Sequence, residues 1–315
     1  MTETPIICIG GENLIDHVTR DGTVSALPGG SPFNVAMALG RQGADACYLT
    51  PISTDTWGDT LAATLTDAGV TLGGGRSDAP TTMARVTVTD GIPTYDFERD
   101  GTAERMVTEA SLANAMPAGT AALHTGSLAV AEGEDGAAWE ATCAKAYAAD
   151  TLVSFDPNLR LSVIADPDAY RARVMRMMTK THLLKLSDED LEGVCPGQSQ
   201  EDALNTIRTV SSASLVIMTK GPDGAIAFAG GHIIDLPAPP VPKLVDTVGA
   251  GDTFMATLLA SLVRIDALSP VGLSKVTRDE VETLVRRAGM AAAINCGRSG
   301  CNPPTRQELD AALGV

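Results

Sequence analysis

The chain has 315 residues, with 39 Asp and Glu against 23 Lys and Arg and a formal net charge of −16. That length supports one large α/β domain with an appendage, or two modest domains. The charge, with no long run of Lys and Arg, argues against wide nucleic-acid contact, although the same acidity also reads as plain solubility. Aromatics are scarce at 3%, so the core is built mainly from Ala, Val, Leu and Ile, as suits buried parallel strands. No apolar stretch is long enough for a membrane span, and residues 1–5 carry no basic leader, so a cytoplasmic location is expected. Cys8, Cys47, Cys143, Cys195, Cys296 and Cys301 form no CxxC pair, and reduced, mostly buried thiols are expected.

Taken in chain order, strand-like runs at 6–10, 121–125, 152–156, 182–186 and 215–219 alternate with helix-period segments. The helical segments are 32–42, 57–68, 134–148, 167–178, 202–210, 253–263 and 278–295. The alternation predicts a mainly parallel, doubly wound sheet covered by helices on both faces. Ser31 before Pro32 has the pattern of an N-cap, and Gly43 that of a helix end. Thr277 with Glu280, and Thr305 with Glu308, have capping-box spacing. Residues 82–99 break the pattern: two alternating strands flank Asp90-Gly91, a hairpin dipeptide, and Pro93 places the second strand at an edge. Such a hairpin is either a lid over a site or decoration.

The chemistry is concentrated in two glycine-rich turns. Asp246-Thr247-Val248-Gly249-Ala250-Gly251-Asp252 runs straight into an apolar helix. The glycines let main-chain N–H groups turn towards a ligand, and the helix dipole adds positive potential, which makes an anion hole. Asp252, in the first turn, is kept ionised by that dipole and can accept a hydrogen bond from a substrate hydroxyl. The plainer reading is an ordinary turn with a capping Asp. Near the N-terminus, Gly29-Gly30-Ser31-Pro32-Phe33-Asn34 lets backbone approach a polyol, and Asn34 offers it a donor and an acceptor. Asp16, placed at the end of the first β segment, is a further acceptor for a diol. Turn glycine, helix-start amide and solvated acid are the alternatives for these residues. No Gly-Lys dipeptide, GxGxxG, HExxH or GxSxG occurs, which removes Walker A, dinucleotide, zincin and α/β-hydrolase readings.

Together, Gly29 to Ala36 and Asp246 to Asp252 resemble the two signatures of the ribokinase-like, or phosphofructokinase B type, carbohydrate kinases. Residues 52–58 and 219–224 resemble two further segments of that family, so the resemblance spans nearly the whole chain. It implies a single kinase domain over 1–315 with a small β lid formed by 82–105 and a contribution from about 12–28. It also implies ATP and Mg2+ as requirements, K+ as an activator of many relatives, and a homodimer through the lid in some. In that frame Asp252 is the base, and Gly249, Ala250 and Gly251 form the anion hole. Asp16, Gly29, Gly30 and Asn34 hold sugar hydroxyls, Lys220, Gly221 and Gly224 line the nucleotide site, and Asn295 lies near the adenine. Asp246 and the Val248 carbonyl match a monovalent-cation site. Where the family often has Asn-x-x-Glu, this chain has Ser187 and Asp190, so Asp190 is assigned to magnesium through water. Residues 95–105, with Arg99, resemble the lid exit of bacterial fructokinases. Residues 155–160, with Arg160, occur in both fructokinase and 2-keto-3-deoxygluconate kinase branches. D-Fructose is therefore the expected substrate, with 2-keto-3-deoxygluconate or ribose as alternatives. A non-catalytic sugar or nucleoside sensor is the alternative from another class.

Overall fold

A computed structural model describes residues 4–20, 23–89 and 92–315. Among these, nine strands form one large sheet in the order His232–Leu236, Ala225–Ala229, Leu215–Thr219, Leu183–Ser187, Leu152–Asp156, Thr120–Gly126, Ile6–Ile9, Ala46–Tyr48 and Thr71–Leu72. Pairing is parallel from Leu215–Thr219 to Thr71–Leu72 and antiparallel across the two strands beyond Leu215–Thr219. Successive side chains leave a strand on opposite faces. Ile7, Ile9, Leu215 and Ile217 accordingly enter one apolar cluster, whereas Cys8, Val216 and Met218 enter the other. Helices Ser31–Arg41, Ala250–Arg264 and Arg278–Cys296 cover the first face, and Gly133–Ala148 and Pro167–Met178 cover the second.

The chain runs outward from Ile6–Ile9 to Ala46–Tyr48 and Thr71–Leu72, then returns to the other side of the first strand at Thr120–Gly126. The order of strands therefore reverses between Ile6–Ile9 and Thr120–Gly126. The crevice outside the carboxyl ends of strands at such a reversal is where doubly wound sheets place ligands. Both glycine-rich turns open there, because each precedes a helix of the face that packs over this end.

A second, four-stranded sheet has the order Thr23–Gly29, Leu14–Arg20, Thr82–Thr89, Ile92–Glu98. Its outer pairs are antiparallel and its central pair parallel. Thr82–Thr89 and Ile92–Glu98 are thus antiparallel neighbours, and the strand carrying Pro93 lies at an edge. The dipeptide Asp90-Gly91 lies outside the described residues.

Helix ends fall within a few residues of those expected from periodicity, and both predicted capping boxes form. Three local expectations are corrected. Gly30, at φ 106°, is the N-cap of Ser31–Arg41, because the Ser31 hydroxyl is bonded elsewhere. Asp16 lies within the strand Leu14–Arg20 of the small sheet and not at the end of the first strand. The antiparallel strands Ala225–Ala229 and His232–Leu236 extend the large sheet where no strands were anticipated. All six cysteines are free thiols, four of them buried. Among the described residues no helix is long and apolar enough to cross a membrane.

One close contact fixes the first strand beneath the crevice. The Trp139 ring lies against Gly10, where an added Cβ would come 1.9 Å from Cη2. Trp139 is buried and has no room to yield. Gly10→Ala is expected to lower the unfolding free energy by about 1–3 kcal/mol, as overpacked cores do. The urea midpoint checks this, and an unchanged midpoint would show that Trp139 can swing aside.

Candidate active site

At the N-terminus of Ala250–Arg264, Gly249 takes a left-handed conformation with φ 73°. A side chain there is blocked twice, by that backbone and by Cys301, whose Sγ would lie 2.3 Å from an added Cβ. The amide of Ala250 donates back to the Thr247 carbonyl at 3.2 Å. The expected three-amide anion hole is corrected accordingly: Ala250 is occupied within its own turn. Among the described residues, the amides of Gly249, Gly251 and Asp252 have no protein acceptor. Those N–H groups, at the positive end of a helix, are the donors available to an anion.

Asp252 is buried at 7% exposure. Ser31 Oγ donates to its Oδ1 at 2.6 Å and Asn34 Nδ2 to its Oδ2 at 2.8 Å. Each oxygen therefore keeps a further lone pair for another donor. Burial raises the Asp252 pKa, and the bonds from Ser31 and Asn34, then the charges of Lys185 and Arg160, oppose that rise. The other amide atom of Asn34, Oδ1, is buried with no hydrogen-bond partner among the described residues. An unpaired buried acceptor beside a carboxylate suits a hydroxyl that donates to it.

The N-terminal glycines also answer a demand of local packing. A Cβ on Gly29 would meet Asp16 Oδ2 at 2.2 Å, and one on Gly30 would meet the Glu12 carbonyl at 2.3 Å. They make room for Asp16 and for the strand-end backbone as well as for any ligand. Asp16 is half-buried, and burial pushes its pKa up to about 6 against the pull of Arg160. Arg160 is exposed and donates to the carbonyls of Asn158 and Leu159, so it stands at the rim with its field reaching Asp16 and Asp252.

Arg99 does not reach this space, nor does it pair with Glu98. It is buried, bonded through Nε to Glu104 at 3.0 Å and through Nη2 to the Leu128 carbonyl at 3.3 Å. Its guanidinium ties the exit of the small sheet to the body, and Arg85 is the partner of Glu98. Asn295 is fully buried and donates to the Val248 carbonyl while accepting from the Asn302 amide, so its side chain is spent on bracing the turn and not on a nucleobase. Asp246 accepts from the amides of Val248 and Gly300. Asp190 forms a capping box with Ser187, and its Oδ1 accepts from the Leu159 amide at 2.6 Å. Its carboxylate is thus held by protein donors at both oxygens. Among the described residues no three His, Cys, Asp or Glu side chains are grouped to hold a metal. Beyond the strand Leu215–Thr219, Lys220 pairs with Asp235 at 2.9 Å and Gly221 faces open space. Gly224 is demanded by packing, since a Cβ there would lie 2.0 Å from the Leu236 carbonyl.

Three kinds of comparison bear on this geometry. The family model "pfkB family carbohydrate kinase" matches residues 8–308. The chain belongs to the pfkB family of carbohydrate kinases. Within that family it is 38% identical over 265 residues to a fructokinase of Rhizobium leguminosarum bv. trifolii, a match covering 82% of this chain and 79% of the relative. Among solved structures, fructokinase of Xylella fastidiosa with bound ATP superposes with a TM-score of 0.90 at 22% identity, over 99% of each chain. Fructokinase of Vibrio cholerae O395, bound to fructose, ADP and calcium, superposes with a TM-score of 0.82 at 24% identity, over 99% of this chain and 98% of that one. At those identities the superpositions establish the pfkB fold.

Sequence reasoning passed over several side chains of this crevice. Glu12 is buried, accepting from the Ser31 amide through Oε1 and the Ala129 amide through Oε2. It links the start of Ser31–Arg41 to the turn after Thr120–Gly126. The hydroxyl of Ser31, expected as a cap, donates to Asp252 instead. The buried pair of Lys185 and Asp156, at 2.8 Å, had one visible signal, a lysine inside an otherwise apolar strand. Burial raises the Glu12 pKa from 4.5 to about 7. The folded state thus holds this proton more tightly than the unfolded chain. The resulting stabilisation is complete below about pH 4.5 and is lost as pH rises towards 7, a span worth about 3 kcal/mol. Glu12→Gln should therefore show a shallower fall of the urea midpoint between pH 4.5 and 7. A slope equal to that of the parent chain would assign the titration to another carboxyl group.

Proposed function

We propose that this carbohydrate kinase is a fructokinase, transferring the γ-phosphoryl group of ATP to a primary hydroxyl of D-fructose with Asp252 as the base. The observation that carries the reading is the Asp252 carboxylate, aimed by Ser31 and Asn34 at the mouth of a helix N-terminus whose amides suit an anion. An acid next to an anion site is repulsive on its own account, and phosphoryl transfer is the chemistry that uses both. The substrate hydroxyl donates to Asp252. Its oxygen forms a bond to the γ-phosphorus as the bond from that phosphorus to the bridging oxygen breaks. Asp252 takes the proton, and ADP leaves with the bond's electron pair. The amides of Gly249 and Gly251 face the group in flight. Asp16, Gly30, Asn34 and Arg160 are assigned to the sugar, and Lys220 and Gly221 to the nucleotide. Fructose is favoured by the Rhizobium relative and by the fructose recorded for the Vibrio enzyme.

Magnesium, when bound, neutralises charge on the phosphate oxygens. The residues fit an ion carried mainly by phosphates and water, since Asp190 is already bonded by protein donors and is left an outer, water-mediated role. Asp246 and the Val248 carbonyl, in the loop before the anion turn, are assigned to a monovalent cation such as K+. The small sheet carrying Asp16 is the proposed lid.

Asp252→Asn should preserve the melting temperature and sugar affinity while lowering kcat by about 10²–10⁴-fold. Because burial raises the Asp252 pKa, kcat/KM of the parent should fall off on the acid side at a pH above the ordinary aspartate value of about 3.9. Coupled ADP release by parent and variant, followed across pH with the preferred sugar, checks both statements, and a panel of fructose, ribose, 2-keto-3-deoxygluconate, glucose, tagatose and adenosine, with and without K+, checks the substrate. Preference for 2-keto-3-deoxygluconate would reassign Arg160 to a substrate carboxylate and discard fructose. Silence across the panel would favour a non-catalytic sensor.

A further inference from the structure

Lys185 projects from the middle of Leu183–Ser187 onto the face covered by the helix that Asp252 begins. Its side chain is 5% exposed, and its Nζ donates to Asp156 Oδ2 at 2.8 Å. A Cβ on Gly251 would lie 3.0 Å from that Nζ, so the ammonium rests directly against the backbone of the anion turn. Gly251 is the residue whose small size permits this approach. The groups that face the ammonium are Asp156 from the neighbouring strand, Asp190 from the following helix, Asp252 from the covering helix and His124 two strands away. The three carboxylates outweigh burial and hold Lys185 protonated, whereas burial and the lysine charge keep His124 neutral.

A lysine of this kind is expensive if its purpose is only to stabilise the fold, because an apolar pair of similar volume serves a core as well or better. The other oxygen of its partner, Asp156 Oδ1, is buried with no hydrogen-bond partner among the described residues, so the pair is not part of a completed polar network. We infer that Lys185 is a positioning residue which places a fixed, water-free positive charge beneath Gly251, so that the anion turn stabilises the phosphoryl group in transit more strongly than its amides do alone. The charge acts through the turn and touches neither sugar nor nucleotide. Being immobile and desolvated, it needs no reorganisation when charge shifts onto the transferring oxygens. This inference rests on the kinase reading above.

The test compares two variants with the parent enzyme, assayed with MgATP and the best sugar of the panel. Asp156→Asn keeps the lysine charge. Lys185→Met with Asp156→Asn removes the charge together with the carboxylate that it bonds. The first should retain kcat within about threefold, and the second should lose about 10–100-fold in kcat with KM for sugar and for ATP nearly unchanged. Affinity for ADP with aluminium fluoride, a mimic of the group in flight, should fall by a similar factor, and affinity for ADP alone should not. Equal kcat in both variants, or loss confined to KM, would overturn the inference and leave Lys185 a structural residue. If the double variant does not fold, Lys185→Gln with Asp156→Asn retains an amide donor in the same space and is read in the same way. A parent enzyme that turns over no sugar would instead sink the kinase reading, which keeps the two failures apart.

Discussion

A buried carboxylate must be given hydrogen-bond donors, and Asp252 finds them more than two hundred residues away in sequence. Leaving such a group unpaired costs several kcal/mol, so the Asp252 oxygens dictate where the N-terminus of Ser31–Arg41 must sit. The two helices that begin at Gly30 and Gly249 are thereby brought mouth to mouth. Glu12 then fastens the first of them to the end of Thr120–Gly126, and Lys185 with Asp156 underlies the second. The crevice is consequently a small polar volume closed from below by ionic and hydrogen-bonded contacts, between two clusters of packed apolar side chains.

This arrangement separates residues that look alike in the chain. Arg99 and Arg160 both follow strands that end near the crevice, yet only Arg160 is exposed there. Arg99 is enclosed by Glu104 and the Leu128 carbonyl, where desolvation makes its ion pair costly to break. Asn34 and Asn295 both lie on helices near a glycine-rich turn. Asn34 retains an unpaired acceptor, whereas Asn295 has spent its amide on the turn that precedes the anion hole.

The layered sheet, the hairpin at 82–99 and the two glycine turns were legible in the sequence because each is written locally, as periodicity, turn dipeptides or contiguous motifs, whereas the two N-terminal strands of the small sheet were reached only through the family resemblance. Asp252 and Asn34 were legible for the same reason. What was not legible depends on which side chain meets which across the fold. The hydroxyl of Ser31 could not be distinguished from a cap without knowing that Asp252 lies opposite it. Glu12 follows two glycines and looks like a loop acid until Ala129 is placed beside it. The purpose of Gly29 likewise emerges only when the Asp16 carboxylate is seen in the space its missing side chain leaves. The two strands at 225–236 had a local signal, the Gly230-Gly231 dipeptide with positive φ at both residues, which the search for alternating strands and helices passed over.

The central pair of the small sheet has a consequence for how the molecule assembles. Leu14–Arg20 and Thr82–Thr89 lie side by side and parallel, with the strands Ala46–Tyr48 and Thr71–Leu72 of the large sheet inserted between them in the chain. Parallel neighbours cannot be joined by a tight turn, and closing a long loop costs entropy before any contact repays it. Each hairpin, by contrast, closes over a short turn. In kinetic terms the central pair of the small sheet is its late, non-local step, and pulse-labelled hydrogen exchange would find the amides bonded between Leu14–Arg20 and Thr82–Thr89 protected after those bonded within each hairpin.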